Sequence, residues 1–113
     1  MEITKSSGEG WTLGAQCGAW TVGILAYSDE HSKFSSLERH NCTDETFALI
    51  HGRATLYVAD KSINVTAHDL EKGVVYNVKK GEWHHIVVSR DAIVMVVKSS
   101  DTMRENSDYL TLA

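Results

Sequence analysis

Apolar and polar positions alternate along this chain in short runs, and no window keeps a helical period beyond a turn or two. Runs at residues 20–27, 45–50, 54–59, 63–67, 74–78, 84–89 and 92–98 are rich in β-branched and aromatic side chains. Such side chains fit a pleated, half-buried surface, so each run predicts a strand. Gly, Asn, Asp and Ser punctuate the runs, and proline is absent. His51-Gly52-Arg53 reads as the turn of one hairpin and Ser89-Arg90-Asp91 as the turn of a second. The near-continuous apolar runs 86–88 and 93–97 fit strands buried on both faces, against another sheet or another subunit. Many short strands at regular spacing predict an all-β sandwich or barrel. Residues 99–113 lose the pattern and read as a polar tail that packs across the fold.

At 113 residues the chain makes one domain with a single core. A net charge of −4 without clustered Lys or Arg excludes a phosphate-backbone partner, so no nucleic acid is expected. Lys79-Lys80, the densest basic spot, reads as a solvated edge. Residues 1–7 have no apolar core of the signal-peptide kind, and no apolar run approaches membrane-spanning length. A cytoplasmic protein without a membrane partner is the expectation. Cys17 and Cys42 are too few for a disulfide scaffold and are expected as thiols. Without secretion, the glycosylation patterns at Asn41 and Asn64 carry no meaning. Apolar runs such as 93–97 predict a homodimer formed by packing or exchanging strands.

On a strand, residues two apart share a face, so Glu38 and His40 point the same way. Asn41 to Asp44 supply turn residues, after which Glu45, Phe47 and Leu49 share that inward face. His84, Ile86 and Val88 alternate with His85 and Val87. If the two segments pair or face each other, Glu38, His40, Glu45 and His84 converge in an apolar interior. Carboxylates buried there would be costly without a counter-ion, and a divalent cation supplies one. Imidazole with carboxylate suits manganese, iron, nickel, cobalt or zinc better than calcium or magnesium. The bland alternatives are two imidazoles satisfied by hydrogen bonds, and Glu38 as salt-bridge partner of Arg39 or Arg53.

These stretches resemble the paired motifs of the cupin superfamily, G-x5-H-x-H-x3,4-E-x6-G and G-x5-P-x-G-x2-H-x3-N. His40, Glu45 and Gly52 match the second His, the Glu and the closing Gly of the first motif. Gly73, Gly81 and His84 match the second at its own spacing, and residues 53–72 separate the two. The likeness covers roughly residues 38–98 and is similar to small single-domain bacterial cupins. It departs at four positions: Ser32 for the leading Gly, Lys79 for the Pro, Val88 for the final Asn, and Glu38 for the first ligand His. The resemblance implies a double-stranded β-helix, a jelly roll of two antiparallel sheets closed into a small barrel. It also implies a transition metal on Glu38, His40, Glu45 and His84, with core motifs over residues 32–98.

Other residues take lesser roles in this reading. His85 lies opposite His84 and suits the surface or a dimer contact, and His31 and His68 are expected to be exposed. Tyr76 and His51 are the acid–base candidates, although a solvated turn suits His51 as well. Cys42 reads as a small turn filler. Phe47, Tyr57, Tyr76 and Trp83 could shape the pocket or fill the core, and Trp11 or Trp20 could cap it. Three function classes fit. One is a metal-dependent isomerase, lyase or dioxygenase acting on a small oxygenated compound. The others are a non-enzymatic small-molecule binder and a metal-free structural domain.

Overall fold

The computed structural model describes residues 1–100 and 106–112. Its strands are β1 (Trp11–Cys17), β2 (Trp20–Leu25), β3 (Ser36–His40), β4 (Glu45–His51) and β5 (Ala54–Ala59), then β6 (Val65–Asp69), β7 (Val75–Val78), β8 (Trp83–Val88), β9 (Ile93–Ser99) and β10 (Ser107–Thr111). A short 3₁₀ turn, Asp29–His31, lies between β2 and β3. The strands form two antiparallel five-stranded sheets, ordered β1-β2-β9-β4-β7 and β10-β3-β8-β5-β6. No helix among the described residues is long and apolar enough to cross a membrane.

The expected alternation holds within strands. Glu45, Phe47 and Leu49 are buried along β4, and Val94 and Val96 along β9. Met95, between the last two, is 38% exposed, so the chain itself covers only one face of β9. The partners of the strands differ from expectation. Neither predicted hairpin forms: β4 and β9 pair in the first sheet, while β5 and β8 pair in the second. The turns at residues 52–53 and 89–92 therefore carry the chain from one sheet to the other. Apolar alternation fixes the buried face of a strand but is blind to whether its successor lies beside it or opposite. No strand pairing joins the two sheets among the described residues, so the expected closed barrel is an open sandwich. Hydrogen-bond ladders are interrupted at the corners where strands change sheets.

Part of the expected polar tail is also structured. β10 pairs with β3 from Ser107↔His40 to Thr111↔Ser36. Leu37 on β3 is fully buried.

The core between the sheets contains Leu25, Phe47, Leu49, Leu56, Ile86, Val88, Val94 and Val96. Toward one end it is wholly apolar. At the other end the inward positions become Glu45 on β4, Lys98 on β9, Glu38 and His40 on β3, and His84 on β8. Register sets this polar end, because Glu45 faces Lys98 and Glu38 faces His84 on neighbouring strands.

The two corners at the apolar end hold each other. Ser89 N–H donates to the Arg53 carbonyl at 2.9 Å, and Arg53 N–H donates to Ser89 Oγ at 3.0 Å. Gly52 has φ +77°, and a Cβ there would lie 2.7 Å from Ala92 Cα. Left-handed backbone and overpacking both penalise a side chain at this position, so Gly52→Ala is expected to lower unfolding free energy by about 2–4 kcal/mol. Urea unfolding checks this, and an unshifted midpoint would show that the corner tolerates a side chain.

Candidate metal centre

One donor atom from each of Glu38, His40, Glu45 and His84 lies within 4.8 Å of the others. Glu45 Oε1 is central, 2.9 Å from His84 Nε2 and 3.1 Å from His40 Nε2. Glu38 Oε1 stands 3.9 Å from His84 Nε2 and 4.0 Å from His40 Nε2. Donors about 2.1 Å from a shared ion are separated by about 3.0–3.4 Å, close to the spacing of Glu45 from the two imidazoles, while Glu38 stands farther out. His40, Glu45 and His84 are buried, while the Glu38 side chain is 31% exposed and faces the open side.

The outer nitrogens of both rings are occupied. His84 Nδ1 donates to the Glu82 carbonyl at 3.1 Å, which leaves its Nε2 with the lone pair in the neutral form. His40 Nδ1 is 2.7 Å from Ser107 Oγ on β10. Such outer partners orient ligating imidazoles and tune their basicity. His40 Nε2 is buried without a hydrogen-bond partner, despite its short distance to Glu45. Buried polar atoms are rarely left so, and an ion among the four donors would satisfy it. The residues therefore fit a metal.

Burial, the largest influence on Glu45, acts to raise its pKa, but His40, His84 and Lys98 outweigh it and hold the carboxyl far below its usual range. Burial acts to lower the pKa of His84, yet Glu45 and then Glu38 carry it above the ordinary imidazole value. Without a metal, both shifts favour a carboxylate–imidazolium pair, in which a proton occupies the place of a cation.

A cavity of about 210 Å³ opens onto these donors. Its wall includes Trp11, Phe47, Ile86, Lys98 and Tyr109, with Glu30 and His31 from the 3₁₀ turn. Trp11 rests on Gly23, where any Cβ would strike the indole, and Lys98 Nζ lies 4.9 Å from the centre of that ring.

Several expectations need correction. His31 is not simply exposed; its Nδ1 donates to the Ile86 carbonyl at 2.9 Å, and it lies in the cavity wall. His85 is buried within the chain, 3.1 Å from the Lys33 carbonyl and stacked against His31 and Phe34. Burial, then the neighbouring His31, pushes the His85 pKa down. Arg39 pairs with Asp108 at 2.7 Å and covers Trp83, so it is no partner of Glu38, and Arg53 is none either among the described residues. Of the acid–base candidates neither lines this cavity. Tyr76 Oη accepts from Glu71 N–H at 3.0 Å, and exposed His51 faces Asp91 at 3.5 Å. Trp20 is half-exposed on the outer face, which leaves Trp11 as the tryptophan at the cavity. His68 is exposed as expected, and Cys17 and Cys42 are exposed free thiols.

No protein-family model and no curated protein matches the chain. Solved structures do. Pac13, a nucleoside dehydratase, aligns with TM-score 0.70 and 14% identity over 98% of this chain and 85% of its own. A cupin-2 domain protein from Shewanella frigidimarina aligns with TM-score 0.60 and 17% identity, covering 77% of this chain and 76% of that one. This chain has the cupin fold. KdgF from Halomonas agrees, with TM-score 0.66 and 11% identity over 93% of this chain and 96% of that one. At such identities the likeness extends to the fold and stops before the chemistry.

The coupled pair gives the metal-free protein a pH signature. Glu45, depressed from 4.5, contributes stability above that value and loses it as pH falls toward its folded pKa. His84, raised from 6.5, contributes stability below that value and loses it as pH rises through its folded pKa. Both contributions are complete between 4.5 and 6.5. The melting temperature of metal-free protein should therefore exceed that of His84→Gln most within this window. A difference independent of pH would show that the pair is not ionised.

Proposed function

We propose that this chain is a small metal-binding cupin whose cavity receives a small oxygenated metabolite. The buried Nε2 of His40 carries the reading, since it makes no hydrogen bond although it lies 3.1 Å from a buried carboxylate and near a second oriented imidazole. Glu38, His40, Glu45 and His84 would hold the ion. Two imidazoles and two carboxylates suit manganese, iron, nickel, cobalt or zinc. A divalent ion supplies Lewis acidity there, polarising a carbonyl or lowering the pKa of a bound water.

The chain's own residues supply the rest of the pocket. Phe47, Ile86, Leu25 and Val96 exclude water from the inner wall, which strengthens electrostatic contacts with a bound molecule. His31 replaces Tyr76 and His51 as the residue able to move a proton, since its Nδ1 is fixed on a carbonyl and its ring borders the cavity. This set would serve an isomerase, lyase or dioxygenase reaction on a small oxygenated compound, and equally the binding of such a compound without turnover. Pac13 from Streptomyces has been solved with uridine, which supports a small-molecule partner for this fold.

Metal analysis of untagged protein should find about one transition-metal ion per chain. His84→Ala should abolish retention without unfolding the chain, and Ser107→Ala should weaken affinity about 10–100-fold by freeing the His40 ring. Equal metal content in His84→Ala would place any ion elsewhere. On loaded protein, oxygen uptake or α-proton exchange on keto acids and sugars identifies an enzyme, whereas saturable binding without turnover identifies a binder.

We also propose a homodimer through the outer face of the first sheet. Ile24, Met95, Ala48 and Val75 form one row across β2, β9, β4 and β7. Met95 is 38% exposed and Val75 69% exposed, so the row is an apolar strip open to solvent. Light scattering should give the mass of two 12.5 kDa chains, and Met95→Lys should halve it. A monomer at micromolar concentration would remove the dimer.

A further inference from the structure

We infer that Lys98 and the metal position together form a subsite for one small carboxylate anion. The inference rests on the metal reading above and adds the charge class of the ligand. Glu45 is shared between two sides. Its Oε1 is the atom that both imidazole Nε2 atoms approach, at 2.9 and 3.1 Å, while its Oε2 lies 3.8 Å from Lys98 Nζ. A cation therefore stands next to the metal-binding face, across one carboxylate from it.

That cation is held in place. Lys98 is the cross-strand neighbour of Glu45, so both side chains project from the same face of the first sheet. The Lys98 side chain is only 22% exposed, and its ammonium sits 4.9 Å from the centre of the Trp11 ring. The absence of a side chain at Gly23 lets that indole lie close. A surface lysine would be solvated and mobile, whereas this one is part of the wall of the same cavity as Leu25, Phe47, Ile86 and Val96.

The charges do not balance without a ligand. With neutral imidazoles, a divalent ion and Lys98 bring three positive charges, and Glu38 and Glu45 bring two negative ones. Unbalanced charge among partly buried groups is costly, and a monoanion removes the imbalance. Glu30 also borders the cavity, but it is exposed on the 3₁₀ turn, where water screens its charge. A carboxylate offers one oxygen for an open metal position and another for an ammonium, and the cavity of about 210 Å³ sets a small size.

Cobalt-loaded protein tests this, because its visible absorption reports ligands arriving at the metal. Glycolate and its neutral analogue glycolamide are titrated into wild type, Lys98→Met and Lys98→Arg. Methionine keeps an aliphatic stem against Trp11 while removing the charge. The expected result is glycolate affinity about 10–100-fold weaker in Lys98→Met, partly restored in Lys98→Arg, with glycolamide affinity equal in all three. Cobalt itself should bind at least as tightly in Lys98→Met, because a repelling cation has gone. A lysine that merely braces Glu45 would instead loosen cobalt when removed, and that result overturns the inference. Equal glycolate affinity in wild type and Lys98→Met with cobalt bound in both overturns it while leaving the metal reading intact. Failure of wild type to bind cobalt overturns both. Should Lys98→Met not fold, Lys98→Gln makes the same comparison.

Discussion

The polar end of the sandwich is organised around the buried carboxylate of Glu45. Two imidazole nitrogens and an ammonium lie within 3.8 Å of its oxygens. A carboxylate placed between two sheets would be expelled or protonated without such neighbours. Each neighbour comes from a different strand: His40 from β3, His84 from β8 and Lys98 from β9. The charge therefore connects the two sheets at the end where apolar packing gives out. At the far end, Leu49, Val88 and Val94 fill the same space with hydrocarbon, and the Gly52 and Ser89 corners close it.

A second layer of contacts fixes the orientation of these groups. Ser107 holds the outer nitrogen of His40, and the Glu82 carbonyl holds that of His84. β10 thus contributes to the site through a hydroxyl. Trp11 and Gly23 do similar work on the other side, where the missing Cβ admits the indole that flanks Lys98. His31 crosses from its short turn to a backbone carbonyl of β8, which brings an imidazole to the cavity wall without a regular strand beneath it.

Proteins of this fold differ in what they do. The matching structures include a nucleoside dehydratase and an oxalate decarboxylase, and each is under 25% identical to this chain. Shared architecture supplies the two facing sheets; the side chains between them set the chemistry. In this chain Glu38 stands where the cupin motif has its first histidine. As a ligand, a second carboxylate would lower the charge of the donor set and favour a harder ion.

Much of this was legible from spacing. Period-two alternation orients each strand, so Glu38 with His40, and Glu45 with Phe47 and Leu49, could be assigned to one interior face from sequence. The motif spacing through Gly52, Gly81 and His84 carried the fold class and the four clustered donors. Strand partners were not legible. The tight turns at Gly52 and Ser89 resemble hairpin turns locally, and only the packing of Phe47 and Leu49 opposite Leu56 and Ile86 reveals them as corners between sheets. Ser107 and Lys98 carry no local signature, because a serine near a chain end and a lysine closing an apolar run look like ordinary surface residues. The burial of His85 likewise depends on a loop from residues 31–34 folding over it. Sequence alone determined which side chains face inward, because that depends on a repeat written along one strand. Tertiary structure decided which strands lie side by side, and so which lysine, serine and histidine meet the carboxylate, because those contacts join residues far apart in the chain.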